Sequence, residues 1–493
     1  MKTNTFCSKW IAISIIGICL MKYANGFAQA SPTIVRTIYI SSSSGNDAND
    51  GSINKPKKTI NGLSSANRHQ SRILLKRNDI FYEGVGSFSS CIISSYGEGA
   101  LPVLCGFRKL NDNKAWKNES GNIWRLDMGD NKKFSGYNTP PLPYDNEYKK
   151  TFNNIGFIYD ETRNVLHGHM VSSKKELKKN WDIFTSSDYS HNSEFRYVYI
   201  YHEGSLKNEG VLCFAVYKNG FIDSDNCELS NIEFRGFGQQ GINEVKNCTI
   251  KSCIVDKIGG SIQLGYAVWT RYGNGIQCWI GDNNNNLIEN CWVSRTYDCG
   301  STIQGTAAKM NAVNIVFRNN VFYHCRQAFE NFLRGSDNLQ YVNCEFSGNL
   351  CFDTGTNEFD SPENRDANIL ANDTVLHSQK IKMSNNLFVG GNHLFANPPY
   401  LGIDMKNNSI YIYKGQYLND SYNHVAKPIY ANSTNDVDQY NRRVLSNDNL
   451  YIIDKVNSQN KIKNYVDQLY NYFLMHGEIP ASSISSFRNY FSE

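Results

Sequence analysis

The chain has 493 residues, of which 40% are hydrophobic, 13% aromatic and 19% charged. This aromatic content and low charge density exclude an intrinsically disordered protein, and the length is ample for a buried core. Three of the 50 basic residues and none of the 46 acidic ones lie in residues 1–30, so the net charge falls from +4 to +1 without that segment. A surface so close to neutrality does not attract a polyanion, and a nucleic-acid partner is not expected.

Residues 1–30 have the organisation of a secretory signal peptide. Two lysines precede an apolar run at 11–21, and the small-x-small motif Ala-Gln-Ala at 28–30 ends the segment. The apolar run is about half as long as a membrane-spanning helix requires. The sequence therefore predicts an exported protein, periplasmic or secreted, with no transmembrane segment.

Residues 31–106 are predicted to contain several short strands and a cap. An Arg-Thr-Ile-Tyr-Ile strand at 36–40 is followed by a polar turn cluster and by a predicted short capping helix at 61–69. Asp47, Asn49 and Asp50 in the turn cluster are candidate calcium ligands, although such clusters ordinarily serve the turn itself. We interpret 31–106 as the N-terminal cap and first coils of the fold that a later repeat defines.

Two further segments differ in pattern from the repeat region between them. Residues 107–222 contain three tryptophans and an alternating Tyr-Val-Tyr-Ile-Tyr run at 197–201, which predicts an inserted β-rich segment. Residues 416–493 are rich in Tyr and Asn, and 462–473 have helical periodicity. We therefore expect C-terminal coils and a helical cap in 416–493.

Residues 223–415 contain a repeated four-residue phrase: Asn, then Cys or Asn, then any residue, then a large apolar residue. The phrase begins at Asn226, Asn247, Asn290, Asn319, Asn343, Asn385 and Asn407. The steps between copies are 21, 43, 29, 24, 42 and 22 residues, and two of them are close to twice the shortest. A unit of 21–24 residues fits three short strands and three turns, which is one coil of a parallel β-helix.

The repeat favours one fold over its rivals. A leucine-rich horseshoe has a similar period but needs a recurrent leucine pattern that this chain lacks, and an antiparallel sandwich would not keep one phrase in register over nearly 200 residues. We predict an all-β protein: a single-stranded right-handed parallel β-helix with an N-terminal capping helix, an inserted β-rich segment and a C-terminal helical cap.

Twelve of the 14 cysteines follow residue 30. In an exported protein disulfides are the default, but the repeat places Cys227, Cys248, Cys291 and Cys344 at inward positions that would stack in one column. Buried cysteine behaves as a small hydrophobe, so we favour free core thiols. A metal site is not expected, because the chain has no CxxC or Cys/His spacing of the zinc type.

Three motifs carry a family resemblance. They are Gly-Asn-Gly-Ile-x-x-Trp at 273–279, Tyr-Asp-x-Gly-x-Thr-x-Gln at 297–304 and Ala-Phe-Glu at 328–330. With the N-terminal opening, they resemble the bacterial right-handed parallel β-helix proteins of the pectin-lyase-like superfamily, over roughly 36–110 and 222–410. The resemblance implies that fold and a polysaccharide substrate. It leaves the reaction open, because the polygalacturonase acids and the pectate-lyase calcium cluster are absent.

Asp298 and Glu330 are the candidate catalytic residues. Glycosidic cleavage needs one carboxylic acid to protonate the leaving oxygen and one carboxylate to activate water or attack the sugar. Asp298 lies eight residues past Asn290 and Glu330 eleven past Asn319. One coil of rise and an offset of about three residues place their backbones roughly 10 Å apart, which predicts the wider carboxyl spacing of inverting enzymes.

Six further residues are candidate substrate-binding groups. Trp279 and Tyr297 could stack on the apolar faces of sugar rings. Asn274, Gln304, Arg295 and Arg326 could hydrogen-bond hydroxyl groups, or a uronate in the case of the arginines. Each of these residues could instead serve only its own turn.

Three functions remain open from the sequence. The first is an exported glycoside hydrolase with the Asp298 and Glu330 pair and no cofactor. The second is a polysaccharide lyase, in which Arg326, Lys309 or Tyr297 takes a proton beside a uronate and a calcium ion neutralises the carboxylate. The third is a non-catalytic carbohydrate-binding surface protein. In each case we expect a monomer whose partner is a polysaccharide or oligosaccharide.

Overall fold

A computed structural model describes residues 31–137, 154–185, 197–263, 268–280, 284–336, 338–361, 366–397, 399–419, 429–430, 445 and 447–492. The predicted signal peptide lies outside these residues. No helix within them is long and apolar enough to cross a membrane.

Three sheets of ten strands each form the body of the described chain, and each coil contributes one strand to sheets A, B and C in turn. Sheet A contains Arg36–Ile40, Ser71–Lys76, Ile92–Tyr96, Glu228–Ser230, Thr249–Lys251, Asn286–Glu289, Ile315–Arg318, Glu345–Ser347, Ile381–Ser384 and Ile403–Lys406. Sheet B contains Ile80–Phe81, Val103–Cys105, Glu233–Arg235, Ile254–Ile258, Trp292–Thr296, Val321–Tyr323, Leu350–Phe352, Leu387–Val389, Ser409–Tyr413 and Asn449–Ile453. Sheet C contains Val85–Gly86, Phe221–Asp225, Ile242–Lys246, Ile276–Trp279, Cys299–Ala308, Gln327–Gly335, Ala367–Ala371, His393–Phe395, Tyr417–Asn419 and Ile429–Tyr430.

Nearly all neighbouring strands in these sheets are parallel, and the last pair of sheet C is antiparallel. Successive coils therefore stack strand on strand, which is the arrangement of a parallel β-helix. Side chains at equivalent positions stack inside the coils: Phe317 and Phe346 are strand partners in sheet A, and their rings lie 6.5 Å apart. The Phe388 ring of sheet B also lies 6.5 Å from that of Phe346. This stacking buries one continuous apolar core along the molecule.

The repeated phrase marks corners of the coil. The first asparagine of every copy has a left-handed backbone, with φ between 50° and 59°, a conformation that asparagine tolerates better than most residues. The copies nevertheless occupy two different corners, which explains their uneven spacing. Those at Asn226, Asn247 and Asn343 precede strands of sheet A, and those at Asn290, Asn319, Asn385 and Asn407 precede strands of sheet B.

The predicted single column of cysteines is therefore wrong. Cys227, Cys248 and Cys344 follow the first corner, whereas Cys291 follows the second. All twelve cysteines of the described chain are buried and free. Burial raises the pKa of Cys344 to about 12, so its thiol stays protonated and packs as an apolar group.

A ladder of asparagines runs through the interior beside the second corner. Nδ2 of Asn320 donates to Oδ1 of Asn349 at 3.0 Å, and the pattern continues through Asn386 and Asn408 to Asp448. Each of these five side chains is at most 6% exposed. The ladder satisfies backbone groups that the turns leave unpaired, because Asn349 Oδ1 also accepts from the backbone nitrogen of Asn320.

The segment between Val103–Cys105 of sheet B and Phe221–Asp225 of sheet C interrupts one coil, and it forms two antiparallel sheets with their own apolar core. One contains Phe134–Gly136, Phe107–Leu110, Leu212–Ala215, Ile158–Asp160 and Val165–His167, and the other Ile183–Phe184, Tyr197–Tyr201, Ile123–Asp127 and Lys117–Ser120. The Asn154 side chain exchanges hydrogen bonds with the backbone of Ile262 at 2.8 and 2.9 Å, which joins this segment to the coils. A two-stranded sheet of Ala312–Val313 and Tyr341–Val342 completes the strands.

The predicted N-terminal capping helix is reduced to a single 3-10 turn, Ser65–Arg68, capped by the side chain of Ser64. The cluster around Asp47 serves its turn: the carboxylate accepts from the backbone nitrogens of Lys58 and Thr59 at 3.0 and 2.8 Å. Further 3-10 turns are Asn113–Ala115, Asn131–Lys133, Lys174–Glu176, Leu206–Asn208 and Pro399–Leu401.

Two α-helices end the described chain, α1 at Lys455–His476 and α2 at Ser483–Ser492. The apolar stripe of α1 includes Ile462, Leu469 and Phe473, and it packs on the outer side chains of sheet B from Trp292 to Tyr411. The predicted C-terminal helix is thus present, but it covers the flank of sheet B and does not close the end of the coil stack.

Candidate active site

The outer face of sheet C carries a cleft of about 690 Å³. The floor of the cleft is formed by alternate residues of the strand Ile276–Trp279. Ile276 and Cys278 point into the core, so Gln277 and Trp279 point outward into the cleft. The same alternation brings outward residues of the next two strands, Cys299–Ala308 and Gln327–Gly335, onto the same surface. The lining residues are Gln240, Asn243, Glu244, Gln263, Trp269, Thr270, Arg271, Tyr272, Asn274, Gln277, Trp279, Asp298, Gln304, Thr306, Glu330, Phe332, Arg334 and Asn372.

The two candidate catalytic residues meet in this cleft. A carboxylate oxygen of Asp298, one of Glu330 and the sulfur of Cys299 all lie within 4.8 Å of one another. Cys299 Sγ is 3.6 Å from Asp298 Oδ1 and 3.4 Å from Glu330 Oε2. Glu330 is buried, and its Oε1 accepts from Nδ2 of Asn372 at 3.3 Å. The cleft therefore holds two adjacent carboxylates, and the buried thiol of Cys299 lies next to both of them.

This spacing is shorter than the sequence predicts. The strand partner of Glu330 is Thr302, four residues beyond Asp298, so the backbone offset is as large as expected. The side chains close that offset, because Asp298 lies at the corner that enters sheet C and Glu330 has a long side chain. Carboxylate oxygens within 4.8 Å are closer than the roughly 6.5–9.5 Å of inverting glycosidases and nearer to the ~5–5.5 Å of retaining ones.

Three of the six candidate binding residues also line the cleft. Asn274 is buried, and its Oδ1 accepts from the backbone nitrogen of Cys299 at 3.2 Å, which fixes the corner beside Asp298. Gln304 and Trp279 are strand partners on adjacent rungs. The Trp279 ring meets that of Phe332 edge-to-face, with centroids 6.4 Å apart. These residues give the cleft both amide groups and an aromatic wall.

Arg295 is not in the cleft, and its predicted role there is wrong. It belongs to Trp292–Thr296 of sheet B, so the corner before Cys299 separates it from the cleft. Its Nε and Nη2 donate to the two oxygens of Asp256 at 2.8 and 2.6 Å. Burial by itself raises the pKa of Asp256, but Arg295 and Lys257 outweigh burial and hold that pKa below its ordinary value.

Tyr297 and Arg326 are also misplaced by the sequence interpretation. Both are buried behind the cleft wall, at 2% and 1% exposure, and neither lines the cleft. Arg326 pairs with Asp366 at 2.8 Å, and the Tyr297 hydroxyl lies 2.6 Å from Ser361 Oγ. A sugar ring cannot reach Tyr297, because protein atoms already cover its faces.

The structure adds cleft residues that the sequence interpretation did not select. Arg271 is only 3% exposed and donates to the Tyr297 hydroxyl at 2.7 Å and to the carbonyl of Gly168 at 2.9 Å. Trp269 is 59% exposed at the cleft. Phe332 could have been found, because it lies two residues past Glu330 in a strand and so shares its face.

The thiol and two carboxylates form a group of three potential metal ligands within the described residues. Calcium takes six to eight oxygen ligands, so a set with a sulfur at its centre does not suit that ion. The proton acceptors predicted for a lyase, Arg326, Lys309 and Tyr297, all lie outside the cleft lining. Among the described residues, the cleft lining therefore contains none of the three predicted lyase bases, and the ligand group beside it does not suit calcium.

No family model and no curated protein matches the chain. Three solved structures with similar folds are a glycoside hydrolase (TM-score 0.36, 11% identity, covering 78% of this chain and 95% of the other), XylC in complex with xylose (0.36, 10%, 84% and 82%), and the native GH136 lacto-N-biosidase from Eubacterium ramulus (0.34, 11%, 85% and 68%). Because these TM-scores and identities are low, the fold and the site described above rest on the strand pairing and side chains of this chain.

Proposed function

We propose that the chain is an exported glycoside hydrolase whose active site is the cleft on sheet C. The observation that carries the proposal is the approach of the Asp298 and Glu330 carboxylates to within 4.8 Å at the floor of that cleft. One carboxylic acid protonates the leaving oxygen, and the other carboxylate completes the attack on the sugar. The aromatic rings of Trp269 and Trp279 supply apolar surfaces for sugar rings.

The spacing supports a retaining mechanism in preference to the inverting one that the sequence predicts. Inversion needs a water molecule between the sugar and the base, and this separates the two carboxyl groups widely. With oxygens this close, one carboxylate attacks the anomeric carbon and the other serves first as acid and then as base. Proton NMR of freshly released product tests this: we expect the anomeric configuration of the substrate, and the opposite configuration contradicts a retaining mechanism.

A lyase is the weaker alternative at this cleft. Elimination needs a uronate and a base beside it, and the three predicted bases are not among the lining residues. One of them, Arg326, is buried and paired with Asp366. A protein that only binds carbohydrate would not need two carboxylates close together. Their mutual repulsion destabilises the folded protein unless one of them is protonated.

The test is incubation of the mature protein with a panel of plant, host and bacterial glycans, with and without chelator. New reducing ends without absorbance from unsaturated products, unaffected by chelator, support the hydrolase. Unsaturated products contradict it and select a lyase. Binding without any cleavage also contradicts it and leaves a carbohydrate-binding protein.

A further inference from the structure

Arg334 brings an exposed positive charge to the cleft. It belongs to the strand Gln327–Gly335, and it lies on the same face as Glu330 and Phe332 because side chains alternate along a strand. Arg334 lines the cleft and is exposed to solvent. Its side chain contacts one backbone carbonyl and the ring of Phe332, and no carboxylate of the described residues is within ion-pair distance of it. An accessible guanidinium therefore faces the cleft with no acidic partner in this part of the chain.

Two contacts hold this guanidinium over the cleft wall. Its Nη2 donates to the carbonyl oxygen of Asn372 at 2.9 Å, and its central carbon lies 5.4 Å from the centroid of the Phe332 ring. A cation over an aromatic face at this distance is attracted by the ring. Because these contacts already restrict a flexible side chain, less conformational entropy is lost when a ligand binds to it.

Asn372 links the guanidinium to the carboxylate pair. Its carbonyl oxygen accepts from Arg334, and its side-chain Nδ2 donates to Oε1 of Glu330 at 3.3 Å. Arg334 follows Glu330 by four residues on one strand, so their backbones are roughly 13 Å apart at ~3.3 Å per residue. A group bound by Arg334 therefore belongs to a different sugar from the one that lies at the carboxylates.

The chemistry of arginine restricts what it binds. Its planar guanidinium carries several N–H donors and no acceptor, and it pairs best with the oxygens of a carboxylate or another oxyanion. The cleft lining also contains Glu244, Asp298 and Glu330, whose charges repel a glycan that is acidic at every sugar. The ligand that fits both features is a largely uncharged glycan with a single acidic group.

We propose that Arg334, held by Phe332 and by the carbonyl of Asn372, forms an acidic-sugar subsite of the cleft on sheet C. The subsite takes a carboxylate or sulfate group on an otherwise uncharged glycan, and the sugar that carries this group is not the one at the carboxylate pair. This inference rests on the proposed function, which it deepens by naming the substrate class.

The test measures binding by calorimetry in the Glu330→Gln background, where the proposed turnover is blocked. Three pairs of probes differ by one acidic group each: xylohexaose with and without one glucuronic acid branch, an N-acetyllactosamine tetrasaccharide with and without a terminal sialic acid, and a galactan hexamer with and without one sulfate. We expect the acidic member of at least one pair to bind at least about fivefold more tightly than its uncharged partner, an effect between that of an exposed ion pair and that of a charge-assisted hydrogen bond. The third pair distinguishes sulfate from carboxylate.

Variants of Arg334 assign the preference to this side chain. Arg334→Gln should abolish the preference and leave the affinity for the uncharged partner unchanged. Arg334→Lys should keep part of it, because the charge remains and the planar fork is lost. The preference should also decrease as the NaCl concentration rises, since salt screens an exposed pair of charges.

The matched control is Arg77→Gln. Arg77 also donates to a backbone carbonyl, that of Gly99 at 2.9 Å, but it lies outside the cleft lining. This variant should keep the full preference, and thermal melting verifies that all variants are folded.

No preference for any acidic probe, or a preference that folded Arg334→Gln retains, overturns the proposal. Loss of the preference in the control as well assigns it to general surface charge and also overturns the proposal. If the wild type cleaves no glycan while Arg334→Gln alone loses the preference, the subsite stands and the hydrolase assignment is wrong. If the wild type cleaves a glycan and no acidic probe is preferred, the hydrolase assignment stands and the subsite is wrong.

Discussion

Replacing Asn386 with alanine removes the middle of the buried asparagine ladder. Its Oδ1 accepts from the backbone nitrogen and from Nδ2 of Asn349 at 2.9 and 3.2 Å. Its Nδ2 donates to the carbonyl of Phe346 at 3.0 Å and to Oδ1 of Asn408 at 2.8 Å. Asn386 is fully buried, so water cannot take over these partners without opening the coil.

The size of the effect follows from these four hydrogen bonds. Each contributes about 1 kcal/mol net, and the alanine also leaves buried donors and acceptors unpaired. We therefore expect Asn386→Ala to lower the free energy of unfolding by about 4 kcal/mol. The loss should be greatest in the coils on either side, because each coil of a solenoid contacts only its neighbours.

Urea unfolding followed by circular dichroism measures the total loss, and hydrogen–deuterium exchange of peptides covering 345–352 and 403–413 locates it. The control is Asn460→Ala, an exposed asparagine of α1 that should change stability by less than about 0.5 kcal/mol. If Asn386→Ala loses no more than this control, or if exchange rises only far from both peptides, the ladder does not hold the coils together as argued.

Three further outcomes follow from the structure. Trp279→Ala should raise KM for a cleaved oligosaccharide about 3- to 10-fold with little change in kcat, because the ring only binds; a fall in kcat alone contradicts this. Arg295→Gln should leave activity unchanged but lower the free energy of unfolding by about 1–3 kcal/mol, since Asp256 loses a charged partner and keeps Lys257 and the Ser294 hydroxyl; lost activity places Arg295 in the site after all. Burial alone lowers the pKa of His377, but nearby Asp373 raises that pKa above its ordinary value. The stability that the charged His377 contributes is therefore fully present below about pH 6.5, and it is lost as the pH rises through the pKa of the folded protein. The stability difference between wild type and His377→Gln should therefore shrink from pH 6 to pH 8, and a difference that grows contradicts this sign.

The coil was predictable because its repeat has a local cause. A corner needs a residue that tolerates a left-handed backbone and then a small inward side chain, and Asn-Cys or Asn-Asn supplies both. The same requirement holds at two corners of each coil, so the phrase could not distinguish Asn247 of the first corner from Asn290 of the second. That ambiguity produced the wrong prediction of one cysteine column, and the use of two corners explains why the copies are unevenly spaced.

The site was predictable only in part, because one corner of the coil places residues that are close in the sequence on different sheets and faces. Arg295 lies three residues before Asp298, yet the turn into sheet C leaves it on sheet B. Tyr297 is one residue away and points behind the cleft wall.

The most direct test of the account is the activity of Asp298→Asn and Glu330→Gln on whichever glycan the wild type cleaves. Asp404→Asn is the control, because Asp404 is exposed on sheet A and lies outside the cleft. We expect each cleft variant to lose at least about 100-fold in kcat and the control to keep wild-type activity. If both cleft variants cleave as fast as the wild type, the paired carboxylates are not the catalytic groups and the active site lies elsewhere.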